Sequence, residues 1–265
     1  MPPIRSANIN VMDQAARKAA RHLIRDFGEV EQLQVSIKGP GDFVSAADRK
    51  AEKILREELS KARPNFGFLL EEGGEIPSKD GHRWIIDPLD GTTNFLHGIP
   101  HFAISIGLEW RGELIAGLVY DPLKDETFVA EKGAGAFLNE RRLRVSRRGD
   151  FSRAMIGCGL PVLNWPGREK GFAEQLERVS DKVAGIRRLG TASLDLAYVA
   201  AGRFDGFWEY GLKPWDIAAG IVLVREAGGM VSHLEGNQPW SEPGTLIATN
   251  ADLQVPLARL LKIVV

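Results

Sequence analysis

Residues Trp84 to Phe95 read Trp-Ile-Ile-Asp-Pro-Leu-Asp-Gly-Thr-Thr-Asn-Phe, or WIIDPLDGTTNF. Trp84 to Ile86 is apolar throughout, as a strand buried on both faces must be, and Pro88 removes the amide that continued pairing would need. The spacing predicts a strand over Arg83–Asp87 with Asp87 at its end. Asp90 follows three positions later, across a turn that Gly91 can close, so both carboxylates can point into one small volume. Two such anions repel, and the arrangement is costly unless cations neutralise it. Hard divalent cations take oxygen ligands, and Asp87, Asp90 and the Leu89 carbonyl offer several. Thr92 to Leu96 reads as one short helical turn, whose free N–H groups near Gly91 and Thr92 suit a phosphate. The same residues also make an ordinary turn, with Asp87 ending a strand and Asp90 capping a helix. Taken alone, the stretch leaves both readings open.

The surrounding chain says what fold would carry it. At 265 residues it can bury a full core without staples, and with no linker or repeat it reads as one domain over 1–265 in two subregions, roughly 1–145 and 146–265. Two amphipathic helices open it, over Asn10–Phe27 and Ser45–Ala62. Strands follow at Phe66–Glu71, Arg83–Asp87, Phe102–Trp110, Glu113–Tyr120 and Thr127–Glu131, close enough in sequence to imply antiparallel pairing. The second half alternates: helix Arg168–Asp181, a strand near Ile186, helix Ser193–Ala201, strand Phe204–Tyr210, helix Trp215–Ala227, strand Leu246–Ala248 and helix Leu253–Leu261. This is a layered α+β or α/β pattern.

Composition excludes some functions. The formal net charge of -1 with 26% charged residues gives no global pull toward nucleic acid or an anionic membrane. No apolar run approaches the length of a membrane span, and the N-terminus has no signal-peptide core. The single cysteine, Cys158, suits a reducing cytoplasm. The basic cluster Arg141, Arg142, Arg144, Arg147 and Arg148 lacks the interleaved aromatics of an RNA surface and reads as a solvated hairpin rim.

Three further places repeat the acidic and hydroxyl theme. Phe66 to Leu70 is apolar and ends in Glu71-Glu72. Lys213-Pro214-Trp215-Asp216 sets an acid at the start of the apolar run Ile217 to Val224. Leu189-Gly190-Thr191-Ala192-Ser193 leads a glycine and two hydroxyls into a helix. Glu71-Glu72, WIIDPLDGTTNF, GTASLDLAYVAAGRFDGFWE and PWDIAAGIVLVREAGG stand in the order and spacing of the inositol monophosphatase family, relatives of fructose bisphosphatase. The chain resembles that family from Lys38 to about Gly229, and Gly202 to Glu209 looks like its bacterial branch.

The resemblance implies a layered α-β-α-β-α sandwich and Mg²⁺-dependent hydrolysis of a phosphate monoester. It implies one ion on Glu71, Asp87 and the Leu89 carbonyl, and a second on Asp87, Asp90 and Asp216, with room for a third near Glu71. Water would be the nucleophile, oriented by Glu71 and Thr92, so no covalent phosphoenzyme is expected. Gly91 and Thr92, with Thr93 or Ser193, would hold phosphate oxygens. Gly190, Thr191, Ala192 and Glu209 match positions that meet ring hydroxyls, with Asp90 and Asp216 close by. Lys38 and Asp48 match an upstream motif expected to act as a flap beside the metal loop. Leu70, Gly73-Gly74 and Lys213-Pro214 depart from the family pattern, which leaves the place of Glu72 and the specificity open.

Myo-inositol monophosphate is the expected substrate. Fructose bisphosphate, histidinol phosphate and adenosine bisphosphate are the alternatives among small phosphate esters. The resemblance further implies inhibition by Li⁺ and a homodimer, to which apolar residues of Phe151 to Val162 would contribute. It also admits a role in RNA metabolism through a partner, with Arg187-Arg188 or the basic hairpin as the contact. A dehalogenase-type phosphatase is disfavoured because its motif has one residue between the aspartates, where Pro88 and Leu89 make two. A zinc site on His97 and His101 is disfavoured because Gly98 and Pro100 break the helix that would face both inward.

Overall fold

The computed structural model describes residues 6–29, 35–39, 42–160, 171–233, 240–241 and 244–262, with the side chains of 35–39 and 42–45 outside that description. Helix α1 (Ala7–Phe27) starts on Ser6, whose hydroxyl accepts from the Ile9 amide at 3.2 Å. It buries Ile9, Met12, Ala15, Ala16, Ala19 and Leu23, a stripe at helical spacing, beside α2 (Ala46–Ala62), which buries Ala47, Ala51, Leu55 and Leu59. Between them β1 (Val35–Gly39) and β2 (Asp42–Ser45) pair as an antiparallel two-stranded sheet.

Both helices cover one face of an eight-stranded sheet. Its strands are β3 (Gly67–Leu70), β4 (Gly74–Ile76), β5 (His82–Asp90), β6 (Ala103–Trp110), β7 (Glu113–Asp121), β8 (Glu126–Glu131), β9 (Gly135–Leu138) and β10 (Arg141–Arg142). The order is β10-β9-β8-β7-β6-β5-β3-β4. Pairing is antiparallel as expected except at β3 and β5, which run parallel. A short helix, α3 (Thr92–Leu96), follows β5. The second half gives β11 (Met155–Cys158), α4 (Phe172–Ser180), β12 (Gly185–Arg187), α5 (Ala192–Ala200), β13 (Gly206–Leu212), α6 (Pro214–Glu226), β14 (Met230–His233), β15 (Gly244–Thr249) and α7 (Gln254–Leu261). Its five strands form a sheet in the order β12-β11-β13-β15-β14.

Alternation along the strands sorts side chains into three cores. Trp84 and Ile86 face α1 and α2, whereas Ile85 between them joins the core of α5 and α6. Phe207 and Ala248 of the smaller sheet meet α5 and α6 from the other side, while Trp208, Ile247 and Ile156 turn to α4 and α7. The layers run α1/α2, large sheet, α5/α6, small sheet, α4/α7, which is the α-β-α-β-α sandwich. Among the described residues no helix is long and apolar enough to cross a membrane.

Three sequence expectations need correction, and a fourth falls partly outside the described residues. Pro88 does not end β5: the strand runs on to Asp90, and the missing amide falls in a register shift between Asp87 and Asp90, where a bulge tolerates it. Met155 to Cys158 forms β11, and Ala154, Ile156 and Cys158 lie in the core of the small sheet, so that part of Phe151 to Val162 is not free for a dimer interface. Pro161 and Val162, and the start of the expected helix at Arg168, lie outside the described residues, and α4 is seen from Phe172. The strand expected over Phe204–Tyr210 instead spans Gly206–Leu212, continuing past another register shift, so Glu209 lies inside it.

Candidate active site

Four chain segments meet where β3, β5 and the first turns of α3, α5 and α6 converge. Asp87 is almost fully buried, at 3% exposure, and its Oδ1 accepts from the Leu89 amide at 2.9 Å inside the bulge. Burial pushes its carboxyl well above the ordinary range, and the charges of Glu71, Asp90 and Asp216 push the same way. Asp216, in the first turn of α6, is raised by burial and then by Asp90, Glu71 and Glu209, though its Oδ2 accepts from the Lys213 amide at 2.7 Å. Asp90 is pushed up to about 6 by burial, held back by the Ser193 amide, which donates to Oδ2 at 2.7 Å.

The bulge and the parallel β3–β5 pair thus gather Glu71, Asp87, Asp90 and Asp216 within each other's field. Of the acidic pair after β3, Glu71 carries the charge that acts on Asp87 and Asp216, and its amide donates to the Ile86 carbonyl at 3.3 Å. Glu72 is anchored differently, its amide donating to Glu52 Oε2 of α2 at 2.8 Å. Among the described residues no three His, Cys, Asp or Glu side chains stand at closed metal-holding geometry. What exists is a corner of oxygen donors whose leading mutual charges are all negative. That donor set fits a hard divalent cation, which would relieve the repulsion, and does not fit zinc. His97 is exposed, and His101, edge-on to Tyr198, is pushed down to about 4 by burial.

Gly91 precedes α3 with φ 95°, and a Cβ there would come within 2.6 Å of Thr191 Oγ1 and 3.1 Å of the His101 carbonyl. This close approach seats the Gly190 to Ser193 turn against the Asp-Gly-Thr-Thr segment. Thr92 Oγ1 lies 2.9 Å from Asp48 Oδ1 and 3.0 Å from the Leu89 carbonyl, so its single proton is directed to one of these acceptors. Thr93 is exposed. Thr191 is nearly sealed and its hydroxyl donates to the His101 carbonyl at 3.2 Å. Ala192 and Ser193 are buried at the start of α5. Glu209 is pushed up to about 8 by burial and Asp90, with Arg188 opposing.

Asp48 joins the site through Thr92, whereas the side chain of Lys38 lies outside the described residues. Two participants escaped the sequence reading. Asn94 donates to the His101 and Leu189 carbonyls, each at 2.8 Å, and so ties α3 to the turn before α5. Asp195 is a buried acid inside the apolar helix Ala192–Ala200, and its place among Leu194, Leu196 and Ala197 was the available signal. The basic hairpin is partly spent on structure, with Arg148 Nε donating to Asp205 at 2.7 Å and the Arg142 guanidinium 5.8 Å from the centre of the Phe137 ring.

Comparison with known proteins adds the following. A family model described as the inositol monophosphatase family matches residues 6–265. An inositol-1-monophosphatase of Mesorhizobium japonicum is 58% identical over 259 residues, 97% of each chain. A putative Nus factor SuhB of Neisseria meningitidis serogroup B is 46% identical over 257 residues, again 97% of each. The crystal structure of the extragenic suppressor protein suhB from Bartonella henselae superposes with a TM-score of 0.93 at 57% identity, covering 97% of this chain and 99% of that one.

Proposed function

This chain belongs to the inositol monophosphatase family, a family of metal-dependent phosphomonoesterases, and we propose that it hydrolyses myo-inositol monophosphate to inositol and phosphate with Mg²⁺. The observation that carries the reading is the mutual charge of Glu71, Asp87, Asp90 and Asp216, acids from three distant parts of the chain gathered around the buried Asp87. Glu71, Asp87 and the Leu89 carbonyl would hold one ion, and Asp87, Asp90 and Asp216 a second. When bound, the ions would supply positive charge to the phosphoryl and leaving oxygens and make the attacking water more acidic.

The protein's own groups do the rest. Thr92 Oγ1 spends its proton on Asp48 or the Leu89 carbonyl, which leaves its lone pairs to accept from the attacking water and aim it. Glu71 would share that orientation and accept the water's proton at a carboxylate oxygen. The Gly91 and Thr92 amides, with Thr93 or Ser193, would hold phosphate oxygens at the start of α3. Glu209 would accept from a ring hydroxyl beside Gly190, Thr191 and Ala192. Direct attack by water leaves no phosphoenzyme, so no phosphoaspartate is expected to be trapped. The sandwich would act as one catalytic domain, as a homodimer, sensitive to Li⁺ at a metal position.

Other small phosphate esters remain alternatives for the same chemistry. The kinship with proteins named Nus factor SuhB supports a second reading, contact with RNA machinery through a partner. Mg²⁺-dependent phosphate release by the intact protein and by Asp90→Asn tests the first reading. A loss of at least about 100-fold in the variant is expected; equal rates would remove Asp90 from the chemistry and leave the partner role as the better account.

A further inference from the structure

Helix α2 buries two acids beside its apolar stripe. Asp48 and Glu52, one turn apart, are 1% and 7% exposed, next to the buried Ala47, Ala51, Leu55 and Leu59. An amphipathic helix fills such positions with apolar side chains unless the acids have donors to meet. Both do, and the donors belong to two different loops of the site. Asp48 Oδ1 lies 2.9 Å from Thr92 Oγ1, and Glu52 Oε2 accepts from the Glu72 amide at 2.8 Å. The second loop is short. Leu70 pairs with Gly74, whose φ is 72°, so Glu71, Glu72 and Gly73 are the whole turn between β3 and β4. Its first amide, that of Glu71, donates to the Ile86 carbonyl of β5 at 3.3 Å, and its second donates to Glu52. A Cβ on Gly73 would come within 2.9 Å of both Glu52 Oε1 and Leu70 Cδ1, so the turn lies directly against the α2 carboxyl.

We propose that Glu52 is a positioning residue for Glu71. The peptide planes before and after Glu71 are each pinned by a hydrogen bond, one to β5 and one to α2. Because those planes are rigid, pinning both sets the direction of the Cα–Cβ bond between them, and so aims the Glu71 side chain. Helix α2 is packed into the core and carries Asp48 as well. One helix thus sets Glu71 and Thr92, the two groups expected to aim the attacking water, relative to each other. The inference rests on the phosphatase reading and deepens it. Glu52 acts through the backbone of the turn rather than by contact with the ester.

The experiment titrates chelator-treated protein with Mn²⁺ in a calorimeter, an ion that takes the same oxygen ligands as Mg²⁺. Glu52→Ala is expected to weaken binding about tenfold or more, the usual scale for losing a group that orients a metal ligand. It should lower kcat for myo-inositol 1-phosphate at saturating Mg²⁺ by a similar factor. Glu52→Gln, which keeps an acceptor for the Glu72 amide, should recover most of the affinity. Made in a Glu71→Gln chain, Glu52→Ala should weaken binding by a further factor of less than about two, because the residue it positions is already gone. A merely structural role would add its full factor there. Unchanged Mn²⁺ binding in Glu52→Ala, or a full additional loss in the Glu71→Gln chain, overturns the inference. Should Glu52→Ala fail to melt cooperatively, Gly73→Ala, whose methyl group would press on the same carboxyl, is read in its place against the same thresholds. If the intact protein does not hydrolyse the ester, the phosphatase reading falls and takes the inference with it; if it does and Glu52→Ala matches it in both assays, only the inference falls.

Discussion

Asp216 shows how this site trades stability for chemistry at the scale of single residues. Its carboxylate is raised by burial and by three neighbouring acids, so in the absence of a cation its charge opposes folding. Asp216→Asn should therefore cut kcat/KM at least about 100-fold while leaving the melting temperature of the chelated protein equal or higher. Thermal melts beside the assay check both halves, and a large drop in stability would assign Asp216 a structural role instead. A second residue-scale prediction concerns Gly91, where φ is 95° and a side chain would strike Thr191 and the His101 carbonyl. Gly91→Ala should lose about 1–3 kcal/mol in denaturant titration and most activity. Part of this was legible: by spacing alone Asp87, Asp90 and Gly91 announced two acids crowded just before a short helical turn, although the bulge that carries β5 on to Asp90 was not foreseen. The partnership of Thr92 with Asp48, and of Asn94 with the Leu189 carbonyl, was not, because these contacts join residues 44 and 95 positions apart.

Among elements, the close seat of α6 on the large sheet explains why the acids arrive together. Gly107 of β6 and Gly117 of β7 face Ala218 and Ala219 of α6, and a Cβ on Gly117 would come within 2.5 Å of the Ala219 carbonyl. Glycine inside an apolar strand marks such an approach of backbone to backbone. Gly117→Val should lift α6 and cost about 2–4 kcal/mol in denaturant unfolding, with a rise in KM for Mg²⁺ because Asp216 rides on the first turn of α6. An unchanged metal response in a destabilised variant would show that the seat of α6 does not set the site. Helices α1, α2, α5 and α6 could be read from periodicity and composition to within a few residues. Strands β4, β9, β10, β11 and β14 could not, because they are two to four residues long and too short to show alternation. The parallel pairing of β3 with β5 was also hidden, since it is decided by how the chain returns between Leu70 and His82 rather than by the residues of either strand.

For the molecule as a whole, the sandwich buries a cluster of acids whose protonation couples to folding. Asp90 moves from an ordinary 3.8 to about 6, and Glu209 from 4.5 to about 8, both through burial first. Between those limits the folded chain binds more protons than the unfolded one, so stability of the chelated protein should fall as pH rises from about 4 to about 8. Added Mg²⁺ should oppose the fall, raise the melting temperature more at pH 8 than at pH 5, and release protons on binding. A melting temperature that rises through this window without metal would contradict the assignment. The order of the five layers came from the resemblance and not from periodicity, because which sheet a helix covers depends on contacts between distant segments. The central claim is that Glu71, Asp87, Asp90 and Asp216 act together through bound Mg²⁺. The most direct test is phosphate release from myo-inositol 1-phosphate by the intact protein, first after removal of metal with a chelator and then on adding Mg²⁺ back. Loss of turnover and its recovery are predicted; turnover that persists undiminished without metal would contradict the account.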